Sequence, residues 1–429
     1  MKVTLLEGNQ QYIAVAGALG CASDRSSADI CAELNQMEKG DAQARCVKVL
    51  AGSFGRGHGS VGDQANYTFS LEGVSRLVTL FFCQSTHSSH LQQSLRWTKA
   101  GGFVLPSQVE QCDWVKDVCV DAYSLYRRMM DAGVPPEDAR YILPLAASTN
   151  IQVHTNAREL CHYMIMSQAE NTPGEVKAVV AKMLEAVAGK DEQTAILENY
   201  GANFEGLSFY PAPALFAGKS PVDSLEIEGE VTLQGYMPGL MPDNLGVAIG
   251  ERSEGELAVL KHTHFTFALQ MSIASFHQAV RQRTWDHSVE TLAHAARKQG
   301  RVEDMIEVPA SIVKGGFGDE YILQARLMLD GFRTLRDALA EGKGDAFAVL
   351  PHCLKVKTVV HINGWNAIHS IGKRTCTKAQ WEIRRQSVVM AKMMGGMSEE
   401  LKSFMKPQCF NYGKCPEIKP CRTVFAEAS

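Results

Sequence analysis

Apolar and polar positions alternate along the chain in two similar series. Val3 to Leu6 reads as an opening strand, and the apolar run Tyr12 to Gly20 as the helix that follows it. Val74 to Leu95 has the length and apolar spacing of a long helix, and Ser275 to Ala296 shows the same pattern far downstream. Glu228 to Leu233 reads as a second opening strand. Leu143-Pro144 and Leu350-Pro351 each break the chain ahead of a further helix, because the residue before a proline is steered out of helical backbone. That helix carries Asn156, Arg158 and His162 in one series, and Asn363, Trp365 and His369 in the other. The pattern predicts an α+β fold.

The two series are copies. Asp138 to Glu175 matches Asp345 to Glu382 without a gap, at a constant offset of 207, with nine identical positions in 38. These include Leu143/Leu350, Pro144/Pro351, His154/His361, Asn156/Asn363, His162/His369 and Glu175/Glu382, more than unrelated sequences give at one register, so duplication is the simplest account. Tyr67-Thr68-Phe69 echoes Phe265-Thr266-Phe267 at a shorter offset. The expected organisation is a first repeat over 1–199, a linker over 200–224 rich in Gly, Pro and Ala, a second repeat over 225–397, and a tail over 398–429 that carries cysteines and packs on the second repeat.

Composition narrows the setting. The chain has 429 residues, 45% apolar and 21% charged, with a formal net charge of −4, so no overall positive excess draws it to a nucleic-acid polymer. Any anion site must be local. Twelve cysteines at irregular spacings, in a chain long enough to bury its own core, point to a reducing, cytoplasmic compartment rather than a disulfide framework. The apolar run before Cys21 lacks the charged approach of a leader, and no stretch has the apolar length of a membrane span.

The chemistry lies in arginines and short motifs. Repeat one carries Gly57-His58-Gly59-Ser60, then Gln84 to Trp97 with Ser89, Ser94 and Arg96, then Ala139-Arg140-Tyr141-Ile142-Leu143-Pro144, and Asn156 with Arg158. Repeat two carries Gln278, Arg281 and Arg283, then Arg374 and Ala379-Gln380-Trp381-Glu382-Ile383-Arg384. These segments resemble the flavin-dependent thymidylate synthases, whose pattern runs Q-x-x-R-H-R-x-x-S-x-N-E-x-S-x-R-Y, with A-R-x-x-L-P, N-x-R and A-Q-W-E-I-R further along. The pattern is divided between the copies. Gln84-Ser85-Thr86 stands where the family has Arg-His-Arg, while Asp286, Thr291 and Ala293 stand where it has Ser, Ser and Arg.

The resemblance implies two tandem repeats, each with an antiparallel sheet and helices, binding FAD and a pyrimidine deoxynucleotide. It implies dUMP to dTMP methylation with methylene-tetrahydrofolate and NADPH. One composite site would be built from complementary halves, in chains that pair as a homodimer, a pseudo-tetramer of repeats. Ser94, Arg96, Arg281 and Arg283 are the expected catalytic residues, Gln278, Arg140 and Arg374 the substrate-binding ones, and His58, Asn156 and Arg158 the flavin contacts. Guanidinium forks suit a nucleotide phosphate, and a flavin carries the redox chemistry without a protein nucleophile. Read as part of a helix, Arg281 and Arg283 would face different sides and serve as solvated charges. His162 and His369 read as structural, and Trp97 as a core or stacking residue. Alternative readings are a flavoenzyme acting on another nucleotide or one-carbon acceptor, and a nucleotide- or flavin-binding protein without turnover.

Cys409, Cys415 and Cys421 are spaced C-x5-C-x5-C, and Cys376 precedes the A-Q-W-E-I-R segment. Four thiolates would complete a closed structural site for zinc or an iron–sulfur cluster. Scattered ordinary thiols are the plainer alternative.

Overall fold

The computed structural model describes residues 1–8, 11–189, 194–198, 210–213 and 215–421. Part of the expected linker, 200–209 and 214, lies outside these, as does the tail beyond 421. The chain divides into two compact units. The first is Met1–Gly218 with Arg326–Pro351, and the second is Lys219–Ala325 with His352–Ser429. A stretch that belongs to repeat two by sequence thus belongs to the first unit by contact.

Each unit is built on one four-stranded antiparallel sheet. The first contains β1 (Lys2–Glu7), β2 (Asn66–Ser75), β3 (Ser89–Gln92) and β4 (Ser148–Asn156), in the order β1-β2-β4-β3. The second contains β5 (Val231–Met237), β6 (His264–Ser272), β7 (Asp286–Val289) and β8 (Lys355–Asn363), in the equivalent order β5-β6-β8-β7. The registers coincide as well. Thr68 faces His154 and Ser89 faces His154 in one sheet; Thr266 faces His361 and Asp286 faces His361 in the other. The duplication is therefore a duplication of fold, with the offset of 207 preserved between β4 and β8.

Alternation explains the layering. Tyr67, Phe69 and Leu71 of β2 and Ile151 and Val153 of β4 point into the core, while Thr68, Gln152 and His154 point outward. The buried face packs on helices Arg76–Cys83, whose residues are all buried, and Gly174–Ala188. In the second unit, Phe265, Phe267 and Leu269 with Val360 and Ile362 form the same layer beneath helix Trp381–Met397.

Two sequence expectations change here. Val74 to Leu95 is not one helix: β2 runs to Ser75, the helix ends at Cys83, and the polar run Gln84 to Ser88 leads into β3. Ser275 to Ala296 divides likewise into helix Ile273–Ala279, β7 and the turn of helix Leu292–Ala295. In each copy the helix gives way to a short connection into the edge strand. The Leu-Pro pairs precede β4 and β8, and the helices with Asn156 and Asn363 come only after those strands. The opening strand of repeat two begins at Val231, three residues later than its expected start.

The pairs retained in both repeats close the elements. Asn156 and Asn363 are N-caps, accepting from the backbone N–H of Glu159 at 2.8 Å and of Asn366 at 2.9 Å. Ser75 and Ser272 cap the helices that follow β2 and β6. At the same corner Glu382 is fully buried, and its carboxylate accepts from Ser272 N at 2.7 Å and Ser272 Oγ at 2.6 Å. Glu175 accepts from Ser75 N at 2.9 Å in the first unit. In that unit, Asp345 accepts from Gly174 N at 2.6 Å, and Arg336 donates to Asn171 Oδ1 at 2.7 Å, so the 326–351 stretch is held by buried polar bonds.

Removing the Glu382 carboxylate strands the Ser272 donors without water. Glu382→Ala is expected to lower the unfolding free energy by about 2–3 kcal/mol, read from the urea midpoint at constant slope; an unchanged midpoint would mean the clamp carries no stability.

Candidate active site

The first unit gathers three of the expected residues around one residue, Glu137. Beyond β3 the chain turns through Ser94, whose hydroxyl accepts from Arg96 N at 3.2 Å. Arg96 Nε donates to Glu137 Oε2 at 2.8 Å, and Arg140 Nε donates to the Glu137 carbonyl at 3.1 Å. Arg140 is only 7% exposed, and its buried Nη2 has no hydrogen-bond partner. Burial, with the charge of Arg96 adding to it, pulls the Arg140 pKa below its ordinary value. A buried guanidinium with an unsatisfied donor favours an arriving anion, whose charge and oxygen lone pairs would satisfy both deficits.

The expected flavin contacts form a second group in this unit. Arg158 lies in the first turn of helix Ala157–Ser167 and bonds Asp63 Oδ2 at 3.2 Å. Its guanidinium passes directly over Gly59; a Cβ there would stand 2.4 Å from Arg158 Cζ, so a side chain at this position would displace the guanidinium. His58, exposed, is the neighbouring residue of that glycine. Asn156 precedes the same helix, with its side-chain oxygen committed to the cap.

In the second unit, Gln278, Arg281, Arg283 and Arg374 meet at the turn between helix Ile273–Ala279 and β7. Arg374 Nη2 donates to the Gln278 carbonyl at 3.0 Å. With the Gln282 amide oriented to satisfy both groups, its oxygen accepts from Arg374 Nε at 2.8 Å and Nη2 at 2.5 Å. Arg281 and Arg283 thus sit on a turn braced by Arg374, not on a helix, with Arg281 half-buried and Arg283 exposed. Gln282 was not anticipated; its place between two arginines was the available signal.

A family model for the thymidylate synthase complementing protein matches residues 3–191 and again 250–397. The chain belongs to this family. It is 34% identical over 200 residues to the flavin-dependent thymidylate synthase of Geobacter sulfurreducens, a match covering 44% of this chain and 83% of that protein. It is 33% identical over 173 residues to the flavin-dependent thymidylate synthase of Pyrococcus furiosus, covering 38% and 69%. Among solved structures it is similar to the UMP/dUMP methylase PolB from Streptomyces cacaoi bound with 5-Br dUMP, at 18% identity and a TM-score of 0.39, covering 48% and 97%. Each aligned stretch is less than half of this chain, whereas the family pattern is met twice.

This thymidylate synthase complementing family chain departs from the Arg-His-Arg pattern for a visible reason in its first unit. Gln84 and Ser85 are buried. Gln84 Oε1 accepts from Leu215 N at 2.9 Å, and its Nε2 donates to the Leu80 carbonyl at 3.1 Å. Ser85 Oγ donates to Glu159 at 2.5 Å, and His162 Nδ1 lies 3.0 Å from the same carboxylate oxygen. The position has become packed polar interior. His162 is structural, as expected, whereas its counterpart His369 is exposed and meets Gln408 of the tail at 3.3 Å, so the two do not share one role. Trp97, expected as a core or stacking residue, is 84% exposed and so is not in the core.

The tail packs on helix Gly364–Arg374 through Gln408, where Gly372 makes room. Burial and the nearby Cys415, Cys376 and Cys421 push the Cys409 thiol up. Among the described residues, however, no group of three or more His, Cys, Asp or Glu side chains is arranged to hold a metal ion, so the expected zinc or iron–sulfur site has no support. Also among the described residues, no helix is long and apolar enough to cross a membrane.

Burial raises the Glu159 pKa, but the hydrogen bonds and charge of His162, with the Ser85 hydroxyl, outweigh it and hold the carboxyl below its ordinary value. A depressed carboxyl adds stability above its unfolded pKa of about 4.3, and that stability is lost as pH falls through the folded value. Wild type is expected to exceed Glu159→Gln in unfolding free energy at pH 6, with the gap shrinking below about pH 4; a gap independent of pH would remove the ionic account.

Proposed function

We propose that this chain methylates a pyrimidine deoxynucleotide, converting dUMP to dTMP, with FAD, methylene-tetrahydrofolate and NADPH. The observation that carries the reading is Arg140, buried, with a donor that no protein group satisfies, beside Arg96 and Ser94. A nucleotide 5′-phosphate is the anion that suits two guanidinium forks and a hydroxyl. The family and the flavin-dependent relatives support the substrate class and the cofactor.

The first unit's residues fit a flavin's phosphates in type: Arg158 is held by Asp63 over the glycine-lined space at His58. His58, Arg158 and the backbone around Asn156 would hold FAD, which when bound supplies the electrons for reducing the transferred one-carbon unit. The protein's own part is to bind and orient. Arg96 and Arg140 fix the phosphate, Ser94 adds a hydroxyl, and Arg374 keeps the turn bearing Arg281 and Arg283 in one conformation for the pyrimidine or flavin. Repeat one keeps one subset of the family's residues and repeat two the complementary subset, which is the basis for assigning both to one catalytic function. Two chains pairing would provide four repeats, and the expected mass in solution is twice that of the chain.

One observation favours a second reading, a nucleotide-binding protein without turnover. Neither copy retains Arg-His-Arg, since Ser85 is packed against Glu159 and Gln282 against Arg374. Turnover decides between them. Purified anaerobically with FAD, the chain is expected to show flavin absorbance and to methylate dUMP when given folate and NADPH. Arg140→Ala is expected to raise KM for dUMP by about 10- to 100-fold, as for the loss of a charge-assisted hydrogen bond. Flavin binding with no methyl transfer to any pyrimidine nucleotide, or no flavin binding, would move the assignment to the second reading.

A further inference from the structure

The turn that carries Arg281 and Arg283, between helix Ile273–Ala279 and β7, is fastened to one stripe of helix Gly364–Arg374. Arg374 holds its start through the Gln278 carbonyl and the Gln282 amide. At its end, Asn366 Nδ2 donates to the Thr284 carbonyl at 3.3 Å. Between these, the fully buried Ser370 accepts from the indole Nε1 of Trp285 at 2.7 Å. Residues 366, 370 and 374 are spaced four apart, so they share one helix face. Trp285 is 2% exposed, and its ring lies beside that of His287 with centroids 6.1 Å apart. Its backbone N–H donates to the Gln282 carbonyl at 2.9 Å, so one residue closes the turn with its main chain and anchors it with its side chain. An indole N–H only donates, and Ser370 passes its own proton to the Asn366 carbonyl at 2.5 Å, so the relay has a fixed direction.

The first unit has the same bond with its partners exchanged. The registers of β3 and β7 put Ser88 at the place of Trp285, and the offset of 207 puts Tyr163 at the place of Ser370. There the ring belongs to the helix: Tyr163 OH donates to Ser88 Oγ at 2.7 Å, and Ser88 Oγ donates to Thr155 Oγ1 at 2.9 Å. Ring and serine have changed sides while one hydrogen bond between them is kept. The connection in the first unit, Gln84 to Ser88, carries no arginine, whereas the ring of the second unit stands at the base of a turn that carries two. Trp285 falls two residues after Arg283, on a position that the family pattern leaves open.

We propose that Trp285 is a positioning residue for the methylation: through Ser370 it holds the turn in the one conformation that presents Arg281 and Arg283 together to a phosphate-bearing ligand, FAD or dUMP. Two long side chains on an unfastened turn sample many relative placements, and each placement fixed beforehand is entropy not lost on binding. The exchange of ring and serine gave the second unit this anchor on the strand side, next to the arginines it retains. The inference rests on the assignment of Arg281 and Arg283 to the proposed site.

Amide hydrogen exchange and ligand titration of the full chain test it, with FAD and dUMP titrated separately. Trp285→Phe keeps a ring and loses the N–H, while Ser370→Ala removes the acceptor from the helix side. Each is expected to speed exchange over 280–285 by about tenfold and to weaken FAD or dUMP by about fivefold, the size of one lost hydrogen bond. The double variant is expected to bind no more weakly than either single one. With Arg281→Ala and Arg283→Ala already present, Trp285→Phe is expected to speed exchange and leave affinity unchanged, which a general loss of fold would not do. If the two arginine variants leave both affinities as in wild type, the site assignment fails and the inference with it. If they weaken binding while Trp285→Phe and Ser370→Ala do not, or if Trp285→Phe still weakens binding without the arginines, the inference alone is overturned.

Discussion

A buried carboxylate closes the corner where strand, helix and second helix meet, and the rest of each unit is arranged around that corner. Glu382 satisfies both the backbone and the hydroxyl of Ser272 at the end of β6, and Glu175 satisfies the backbone of Ser75 at the end of β2. Buried donors must be paired, so this bond fixes where the strand stops and the helix begins. That fixes the phase of β2 and β6, and with it which side chains meet the core. His154 and His361 then fall on the outer face, and Asn156 and Asn363 at the next helix start.

On this shared frame the two copies have diverged in different directions. The first unit keeps Ser94, Arg96 and Arg140 around Glu137 and turns its Arg-His-Arg position into interior packing. The second unit keeps the arginine-bearing turn and braces it with Arg374. Each loss is locally stable: Ser85 has a buried partner in Glu159, and Gln282 in Arg374. The caps and clamps, which both copies need in order to fold, are among the pairs that stayed identical.

Much of this was legible in the sequence. The constant offset and the Asn, His and Glu pairs identified the duplication, because capping and clamping leave fixed residue types at fixed positions. Ser94, Arg96 and Arg140, which the resemblance assigns to one site, lie around Glu137. The single long helices did not hold, because an entirely buried helix such as Arg76–Cys83 followed by a short edge strand has the same apolar density as a longer helix. The allocation of 326–351 to the first unit was not legible, since it depends on long-range polar bonds such as Gly174 to Asp345 and Asn171 to Arg336. Cysteine spacing overstated the tail, because proximity of thiols along the chain does not fix their convergence in space.

The central claim is that the unsatisfied guanidinium of Arg140 awaits a nucleotide phosphate. The most direct measurement is the affinity of the full chain for dUMP against deoxyuridine at one ionic strength. The account predicts that the nucleotide binds at least tenfold more tightly and that the advantage falls as salt rises. Equal affinities, unaffected by salt, would contradict it.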